Sequence, residues 1–268
     1  MDISTILGFV IGFALVITGI IQSGDISNFI DIPSIMIVVG GTIAATVASF
    51  PLPAIVGGLK SLKMLGKGKT YNPIPVIDQL VDFAKEARKD GLLALEPKAN
   101  ELEDLFFKRS IMMVIDAMEP EKVRNVLEGE LESMAERHED YAALYDKAAS
   151  YAPAFGMIGT LIGLINMLRG MDISSGSADS IGVNMAVAMV TTFYGCLIAN
   201  LILMPIASKL RVRNDEEVLY REIIIEGVMG IQAGDNPNML RERLASYLST
   251  KKQMNILYGE SDKGGQEE

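Results

Sequence analysis

The sequence lacks most of what enzymes and nucleic-acid-binding proteins need. Its single cysteine, Cys196, lies in an apolar run, which excludes a disulfide framework and a cysteine-rich metal site. Its single histidine, His138, lies among charged residues and is typical of a solvated helix face. No Ser-His-Asp set, phosphate-binding loop or GxGxxG motif follows a plausible strand, so we expect neither enzymatic activity nor a cofactor. The net charge of −10 lacks the basic surplus of nucleic-acid-binding proteins.

Asp, Glu, Lys, Arg and His are also absent from four long apolar stretches, at residues 3–22, 33–52, 149–168 and 181–208. A bilayer core of about 30 Å needs roughly 20 apolar residues in a helix, and each stretch reaches that length. The first stretch has no basic residues before it and is too long for a cleaved signal peptide, so it is interpreted as a retained span. The sequence therefore predicts an all-α integral membrane protein with four transmembrane helices.

The loops beside these spans differ in charge. The link at residues 24–32 contains Asp25 and Asp31 but no lysine or arginine. Basic residues instead follow the second and fourth spans: Lys60, Lys63, Lys67, Lys69, Lys209, Arg211 and Arg213. Arg169, at the edge of the third span, is an isolated exception to this pattern. Because lysine and arginine concentrate in cytoplasmic loops, we expect both termini and the long second loop in the cytoplasm.

Hydropathy and helical periodicity divide the chain into four predicted domains. These are spans one and two (residues 1–56), a helical cytoplasmic domain (57–148), spans three and four (149–208), and a helical tail with a disordered end (209–268). Within the cytoplasmic domain we predict helices that start at Pro73, at Leu92 and at Pro120. No helix breaker separates the third of these from span three, and span four has a similar extension, so both spans are expected to continue as long helices into the cytoplasm.

The uncharged spans pose a functional question. Ion carriers usually place an ionisable residue inside the bilayer, because something there must bind the ion. Either this chain transports no ion, or a partner supplies the charge.

Small and mildly polar residues form stripes on spans three and four. Small residues four positions apart let another helix approach closely in lipid. The stripes are Ala152/Gly156 and Gly159/Gly163 on span three, and Thr191/Gly195/Ala199 and Thr192/Cys196/Asn200 on span four. Pro153 and Pro205 lie inside long helical patterns, where a missing N–H permits a kink or a hinge.

Three motifs in order resemble the MotA/PomA family of flagellar stator subunits, which is related to ExbB/TolQ. They are ARKDGLLALE at residues 87–96, PAFG at 153–156 and AMVTTFYGCL at 188–197, with Pro205 after seven further residues. The four-span plan and the loop sizes agree with that family over nearly the whole chain. The resemblance implies a torque-generating ion channel in the bacterial cytoplasmic (inner) membrane.

The resemblance also implies partners. Several copies, as a pentamer, would surround two helices of a MotB/PomB-type single-span subunit, which brings the intramembrane aspartate that this chain lacks. Passage of H⁺ or Na⁺ past that aspartate would drive rotation against the rotor protein FliG.

Particular residues take on roles by resemblance. Thr160, Thr191 and Thr192 match positions on the ion path, and Pro153 and Pro205 match the prolines that couple ion passage to conformational change. Arg88 and Glu96 match the charged pair that faces the rotor, although Pro97 follows Glu96 where some relatives continue with acidic residues. Thr160 favours Na⁺, but the ion stays open between H⁺ and Na⁺. An ExbB/TolQ-like energiser of outer-membrane processes and a membrane scaffold without ion flow remain as alternative functions.

Overall fold

The computed structural model describes residues 3–67, 71–170 and 178–258, and every regular element in them is helical. The predicted all-α fold class is therefore confirmed for this part of the chain. The α-helices are α1 (Ile3–Ser23), α2 (Ile32–Ile35), α3 (Gly41–Ser49), α4 (Leu52–Lys67), α5 (Pro73–Asp90), α6 (Glu96–Glu101), α7 (Leu105–Ile115), α8 (Pro120–Gly170), α9 (Ala178–Leu197), α10 (Met204–Ala233), α11 (Pro237–Ala245) and α12 (Thr250–Tyr258).

Shorter elements connect some of these helices. Two 3-10 turns occupy Ile26–Phe29 and Leu92–Leu95, and π-helical segments at Met36–Gly40 and Ile198–Leu203 join α2 to α3 and α9 to α10. The second and fourth predicted spans are thus helical throughout, and each contains one segment of wider turn. Such π segments were not predicted, because both spans are apolar on nearly every face and one extra residue in a turn leaves no gap in their hydropathy.

Among the described residues, three helices are long and apolar enough to cross a membrane: Ile26–Ser49, Pro120–Gly170 and Ile181–Ala233. They contain the second, third and fourth predicted spans. The first predicted span folds as α1, whose described apolar part, Leu7–Ser23, is shorter. Its crossing of the membrane stays a prediction.

The chain divides into two compact units. The span unit comprises Met1–Lys69 and Arg137–Val212, and the polar unit comprises Thr70–Glu136 and Arg213–Glu268. The predicted domain boundaries, at residues 56, 148 and 208, were drawn from hydropathy rather than from packing, and they stay a prediction. The expectation that spans three and four continue as long helices is confirmed by the 51 residues of α8 and by α10, which runs on to Ala233.

The end of the second span differs from the prediction. α3 ends at Ser49 rather than at residue 52, and Phe50 is extended, with φ −127° and ψ 146°. The physical reason is Pro51, because proline disfavours helical backbone at the residue before it. A new helix, α4, then starts at Leu52 and runs into the stretch that the sequence assigned to a loop.

The core of the polar unit brings together large apolar side chains from five helices. Leu80 of α5, Ile111 of α7, Leu127 of α8, Ile224 of α10 and Leu240 of α11 are all fully buried. The predicted start of α5 is confirmed: Asn72 caps the helix by accepting from the Ile74 N–H, and Pro73 occupies the first turn.

Two details of the polar unit correct the sequence analysis. The single helix predicted from Leu92 is instead a 3-10 turn followed by α6 and α7, because Asp104 accepts hydrogen bonds from the Phe106 and Phe107 N–H groups and so begins a new helix. Val126, expected on the buried face of α8, is 38% exposed. α12 was not predicted, and the predicted disordered end at 261–268 lies outside the described residues.

Candidate ion-path site between α8 and α9

In the span unit, α8 and α9 approach each other through glycine. A Cβ added at Gly195 would lie 2.7 Å from the Ala152 carbonyl oxygen and 3.0 Å from the Pro153 Cα. One added at Gly163 would lie 2.7 Å from the Asn184 carbonyl oxygen. Three of the small-residue stripes predicted from the sequence, Ala152/Gly156, Gly159/Gly163 and Thr191/Gly195/Ala199, therefore lie at the contact between the two helices, as expected for close packing in lipid.

The three predicted ion-path threonines lie together at this contact. The Thr160 hydroxyl of α8 is 2.5 Å from the Thr192 hydroxyl of α9 and 3.0 Å from the Ala188 carbonyl oxygen. The same carbonyl lies 2.9 Å from the Thr191 hydroxyl and 3.3 Å from that of Thr192. One backbone oxygen of α9 is thus within hydrogen-bonding distance of all three hydroxyls.

A threonine hydroxyl has one hydrogen to donate and two lone pairs that accept. Because Thr160 has the Gly156 and Ala188 carbonyls and the Thr192 hydroxyl within reach, it donates to one oxygen at a time. The cluster therefore presents neutral oxygen atoms with rearrangeable hydrogen bonds. Such oxygens can replace part of the hydration shell of an ion without placing a fixed charge in lipid.

Exposure separates the two neighbouring threonines of α9. Thr191 is fully buried against Gly159 of α8, whereas Thr192 is exposed in the single chain. Cys196 and Asn200, which continue the Thr192 stripe at helical spacing, are exposed as well. The Thr191 stripe thus packs within the chain, and the Thr192 stripe is open on the surface of the span unit.

The two predicted coupling prolines occupy different helical contexts. Pro153 lies inside α8 at the contact with Gly195. Pro205 is the second residue of α10, and only Met204 separates it from the π segment Ile198–Leu203. Each proline removes one backbone donor from a helix, which weakens the helix at that point.

The predicted rotor-facing residues lie in the polar unit. Arg88 is in the last turn of α5 and Glu96 is the first residue of α6, and both side chains are exposed. Gly91, with φ +88°, ends α5 and redirects the chain between them. This turn separates the helix predicted to start at Pro73 from the segment predicted to start at Leu92.

An ion-pair network that the sequence analysis missed joins α8 and α10 in the span unit. The Arg211 guanidinium donates to both Glu139 carboxylate oxygens, at 2.8 to 3.2 Å, and to the Asp146 carboxylate. Hydrogen bonds to Glu139, then to Asp146, raise the pKa of Arg211 above its ordinary value. Residues 65 and 72 positions apart carry no local sequence signal of such a pairing.

A second missed cluster lies in the polar unit around buried Glu217. Its carboxylate accepts from the Arg221 guanidinium at 2.7 and 3.1 Å, a pairing at the i, i+4 spacing that the sequence does display. Burial, with the charge of Asp104 adding to it, raises the pKa of Tyr220 to about 12. Tyr220, like an ordinary tyrosine, is neutral at physiological pH.

No group of three His, Cys, Asp or Glu side chains that could hold a metal ion occurs among the described residues. Together, the long apolar helices, the glycine-packed pair and the neutral oxygen cluster define the class of protein. It is an α-helical membrane protein with an open polar stripe on its span unit, suited to contact a further helix.

Comparison with known proteins identifies the family. Residues 98–223 match the MotA/TolQ/ExbB proton channel family. Motility protein A of Treponema phagedenis is 39% identical over 94% of this chain and 95% of its own length. Chemotaxis protein PomA of Vibrio alginolyticus is 38% identical over 94% and 97%. A chain of the flagellar MotAB stator complex from Bacillus subtilis superimposes with a TM-score of 0.86 at 31% identity, covering 94% of this chain and 98% of that one.

The chain therefore belongs to the MotA/TolQ/ExbB proton channel family, in its motility protein A group. The family resemblance predicted from the three motifs is confirmed. Because this is a family of channel subunits rather than of enzymes, the expectation of a non-enzymatic protein is confirmed as well.

Proposed function

We propose that this chain is the stator subunit of a bacterial flagellar motor, which forms with a MotB-type partner an ion channel that generates torque on the rotor. The observation that carries the proposal is the whole-chain similarity to flagellar motility proteins, over 94% of the chain. The threonine cluster between α8 and α9 supports it, because it offers oxygen atoms beside an exposed polar stripe.

A partner accounts for the missing charge. None of the predicted spans contains Asp, Glu, Lys, Arg or His, yet an ion that crosses a bilayer needs a group that binds it. The B. subtilis structure is of a MotAB complex, and a MotB-type single-span subunit with an intramembrane aspartate would supply this group. The exposed stripe of Thr192, Cys196 and Asn200 is the surface on which we place the partner helix, with a pentamer of this chain around two such helices.

The proposed topology has four membrane spans, with α1 as the first, and both termini in the cytoplasm of a bacterial cell. The lysines and arginines that follow the second and fourth spans support this orientation. The polar unit then lies in the cytoplasm, where Arg88 and Glu96 would engage the rotor protein FliG.

An ExbB/TolQ-like energiser is the second candidate, because the family match at residues 98–223 includes that group. The similarity to motility proteins extends well beyond this segment, to 94% of the chain, and so favours the stator. A scaffold without ion flow has no comparable support.

The deciding experiment is deletion of the gene, with filament staining and microscopy of swimming cells. We expect assembled flagella that do not turn, with motility restored by the wild-type gene. Normal swimming in a strain with no second stator set, or cells without filaments, would contradict the proposal.

Thr160 gives a prediction about the ion. If the channel carries Na⁺, Thr160→Ala removes one oxygen ligand, and the sodium concentration for half-maximal swimming speed should rise about tenfold, as for loss of one hydrogen bond to a charged group. Thr46→Ala is the matched control, since the Thr46 hydroxyl donates to the Thr42 carbonyl of its own helix, at 2.7 Å. Wild-type swimming that ignores external sodium would instead assign the channel to H⁺.

Arg88 gives a prediction about the rotor. Arg88→Glu should reduce swimming and recruitment of fluorescent stators to the motor while ion flux through an unplugged channel stays near the wild-type level, because the change reverses charge at a surface contact. Lys89→Glu is the matched control, with the same charge change at the neighbouring exposed position. Equal effects of the two substitutions would show that net charge matters rather than an Arg88 contact.

A further inference from the structure

One stripe of α4 carries apolar and basic residues in a fixed order. Leu52, Val56 and Leu59 share this stripe and are 70%, 49% and 60% exposed. At helical spacing the stripe continues through three lysines in the second half of the helix: Lys60, Lys63 and Lys67. We propose that the α4 stripe binds anionic phospholipids of the cytoplasmic leaflet, with its apolar half among the acyl chains and its lysines at the headgroups.

The opposite face of α4 is packed against α8 within the span unit. The Gly58 carbonyl oxygen accepts from the Tyr145 hydroxyl of α8 at 2.8 Å and from the buried Ser61 hydroxyl at 2.7 Å. A Cβ added at Gly58 would already be in contact with the Leu144 side chain, at 3.4 Å. Because Gly58 and Ser61 lie across the helix from Val56, this packing fixes the α4 stripe so that it points away from α8.

The contacts of α3 and α4 with α8 give the depth of the stripe. The Ser49 hydroxyl at the end of α3 lies 2.7 Å from the Tyr151 hydroxyl, inside the predicted third span. Tyr145, which binds Gly58, precedes the start of that span at residue 149 by four helical residues, a rise of about 6 Å. The headgroup layer on each side of a bilayer is about 5–7 Å thick. The apolar half of the α4 stripe therefore lies at the edge of the hydrocarbon core, and the lysines lie at the headgroups.

The charge of the stripe selects an anionic lipid over other occupants. No aspartate or glutamate lies between Asp31 and Asp78, so α4 offers its lysines no acidic partner at the i, i+3 or i, i+4 spacing. The Lys60 side chain is exposed and forms no salt bridge with a described residue. Lysines directly after a membrane span attract anionic headgroups, and the apolar residues before them complement acyl chains. One ligand, with a negative headgroup and an apolar tail, therefore satisfies both halves.

This inference rests on the proposed topology, in which α4 leaves the membrane on the cytoplasmic side, but it does not depend on torque generation. The chain contains no tryptophan, so Leu59→Trp places a single fluorescent reporter in the stripe. The full chain with its MotB-type partner is reconstituted in vesicles of equal parts phosphatidylcholine and phosphatidylglycerol, and the emission of the wild-type complex is subtracted. Acyl-chain-brominated forms of each lipid then serve as quenchers. We expect phosphatidylglycerol to bind at least about fivefold more strongly than phosphatidylcholine, the contribution of one lysine near a membrane surface.

Removal of charge from the stripe tests what selects the lipid. In the Leu59→Trp background, glutamine at all three lysines of the stripe should make the quenching by the two lipids equal. Quenching itself should remain, because the apolar half of the stripe is unchanged. The matched control carries glutamine at three exposed lysines of the polar unit, with the same change in net charge, and should keep the fivefold preference: Lys122, Lys251 and Lys252.

Equal quenching by both lipids with the lysines intact would overturn the proposal and would show unselective contact with bulk lipid. Absence of quenching by either lipid would overturn it in favour of a protein contact, such as a second copy of the chain. If Leu59→Trp does not assemble, Val56→Trp, on the same stripe, gives the same measurement. The lipid preference is measured whether or not cells lacking the gene swim, so failure of this inference and failure of the stator proposal are distinguishable.

Discussion

Gly195→Ala is expected to abolish swimming by preventing assembly of the complex. The added methyl group would lie 2.7 Å from the Ala152 carbonyl oxygen and 3.0 Å from the Pro153 Cα, and both atoms belong to the backbone of α8. A flexible side chain could move aside, but backbone of a packed helix cannot, so α8 and α9 must separate. Overpacking of this kind costs typically about 1–3 kcal/mol for each copy of the chain.

The separation would also disrupt the ion-path site. Thr160 belongs to α8, whereas Thr192 and the Ala188 carbonyl belong to α9, and their hydrogen bonds span the contact. In an oligomer every copy carries the substitution, so the costs add across subunits. We expect at least a tenfold loss of assembled complex in membranes, the effect of about 1.4 kcal/mol, measured by gel filtration of the solubilised complex and by blotting.

Gly182→Ala is the matched control for this substitution. Gly182 lies on the same helix, α9, but a Cβ there meets nothing within 4 Å. The control should assemble and swim normally, or be slightly more stable because alanine favours helix over glycine. Normal assembly of Gly195→Ala would show that α8 and α9 are farther apart in the complex than in the single chain.

The features that follow a simple repeat could be predicted from the sequence. The apolar stretches predicted the membrane helices because bilayer thickness fixes their length, and the absence of a helix breaker predicted the continuous α8. The glycine stripes of spans three and four predicted the face on which the two helices meet, because small residues four apart share one face.

Features that depend on a single side chain in its tertiary setting could not be predicted. Asp104 caps α7 and so splits a helix that helical periodicity alone predicted as continuous. Arg211 pairs with Glu139 and Asp146, which are distant in sequence. Ala188 contributes to the candidate site through its backbone carbonyl, and no side-chain pattern can indicate a backbone ligand.

The roles of the threonines, prolines and charged pair stay predictions that came from the family resemblance rather than from the residues alone. The structure brings Thr160, Thr191 and Thr192 together at one contact. It places Pro153 at the same helix contact and Pro205 beside a π segment, which the sequence did not suggest. That position makes Pro205 the more informative proline to change.

Pro205→Leu is expected to leave the complex assembled but to remove most of its torque. The π segment Ile198–Leu203 ends one residue before Met204-Pro205, and proline supplies no N–H to the carbonyl groups of the preceding turn. Leucine restores that donor, so a carbonyl group of the preceding wide turn gains a hydrogen-bond partner and the junction between α9 and α10 becomes stiffer.

The glycine contact with α8 still holds α9, so the stripe of Thr192, Cys196 and Asn200 and the apolar surface of α10 keep their places, while the hinge between α9 and α10 is lost. We therefore expect normal amounts of membrane-bound complex, normal recruitment to the motor and near-complete loss of swimming, measured by tracking cells and by fluorescent stator counts. Met204→Leu, at the neighbouring exposed position, is the control, since it keeps the proline and should swim normally. A Pro205→Leu protein that fails to assemble would instead show that the proline is needed for folding of α10. One that swims normally would show that the proline beside the π segment plays no part in torque generation.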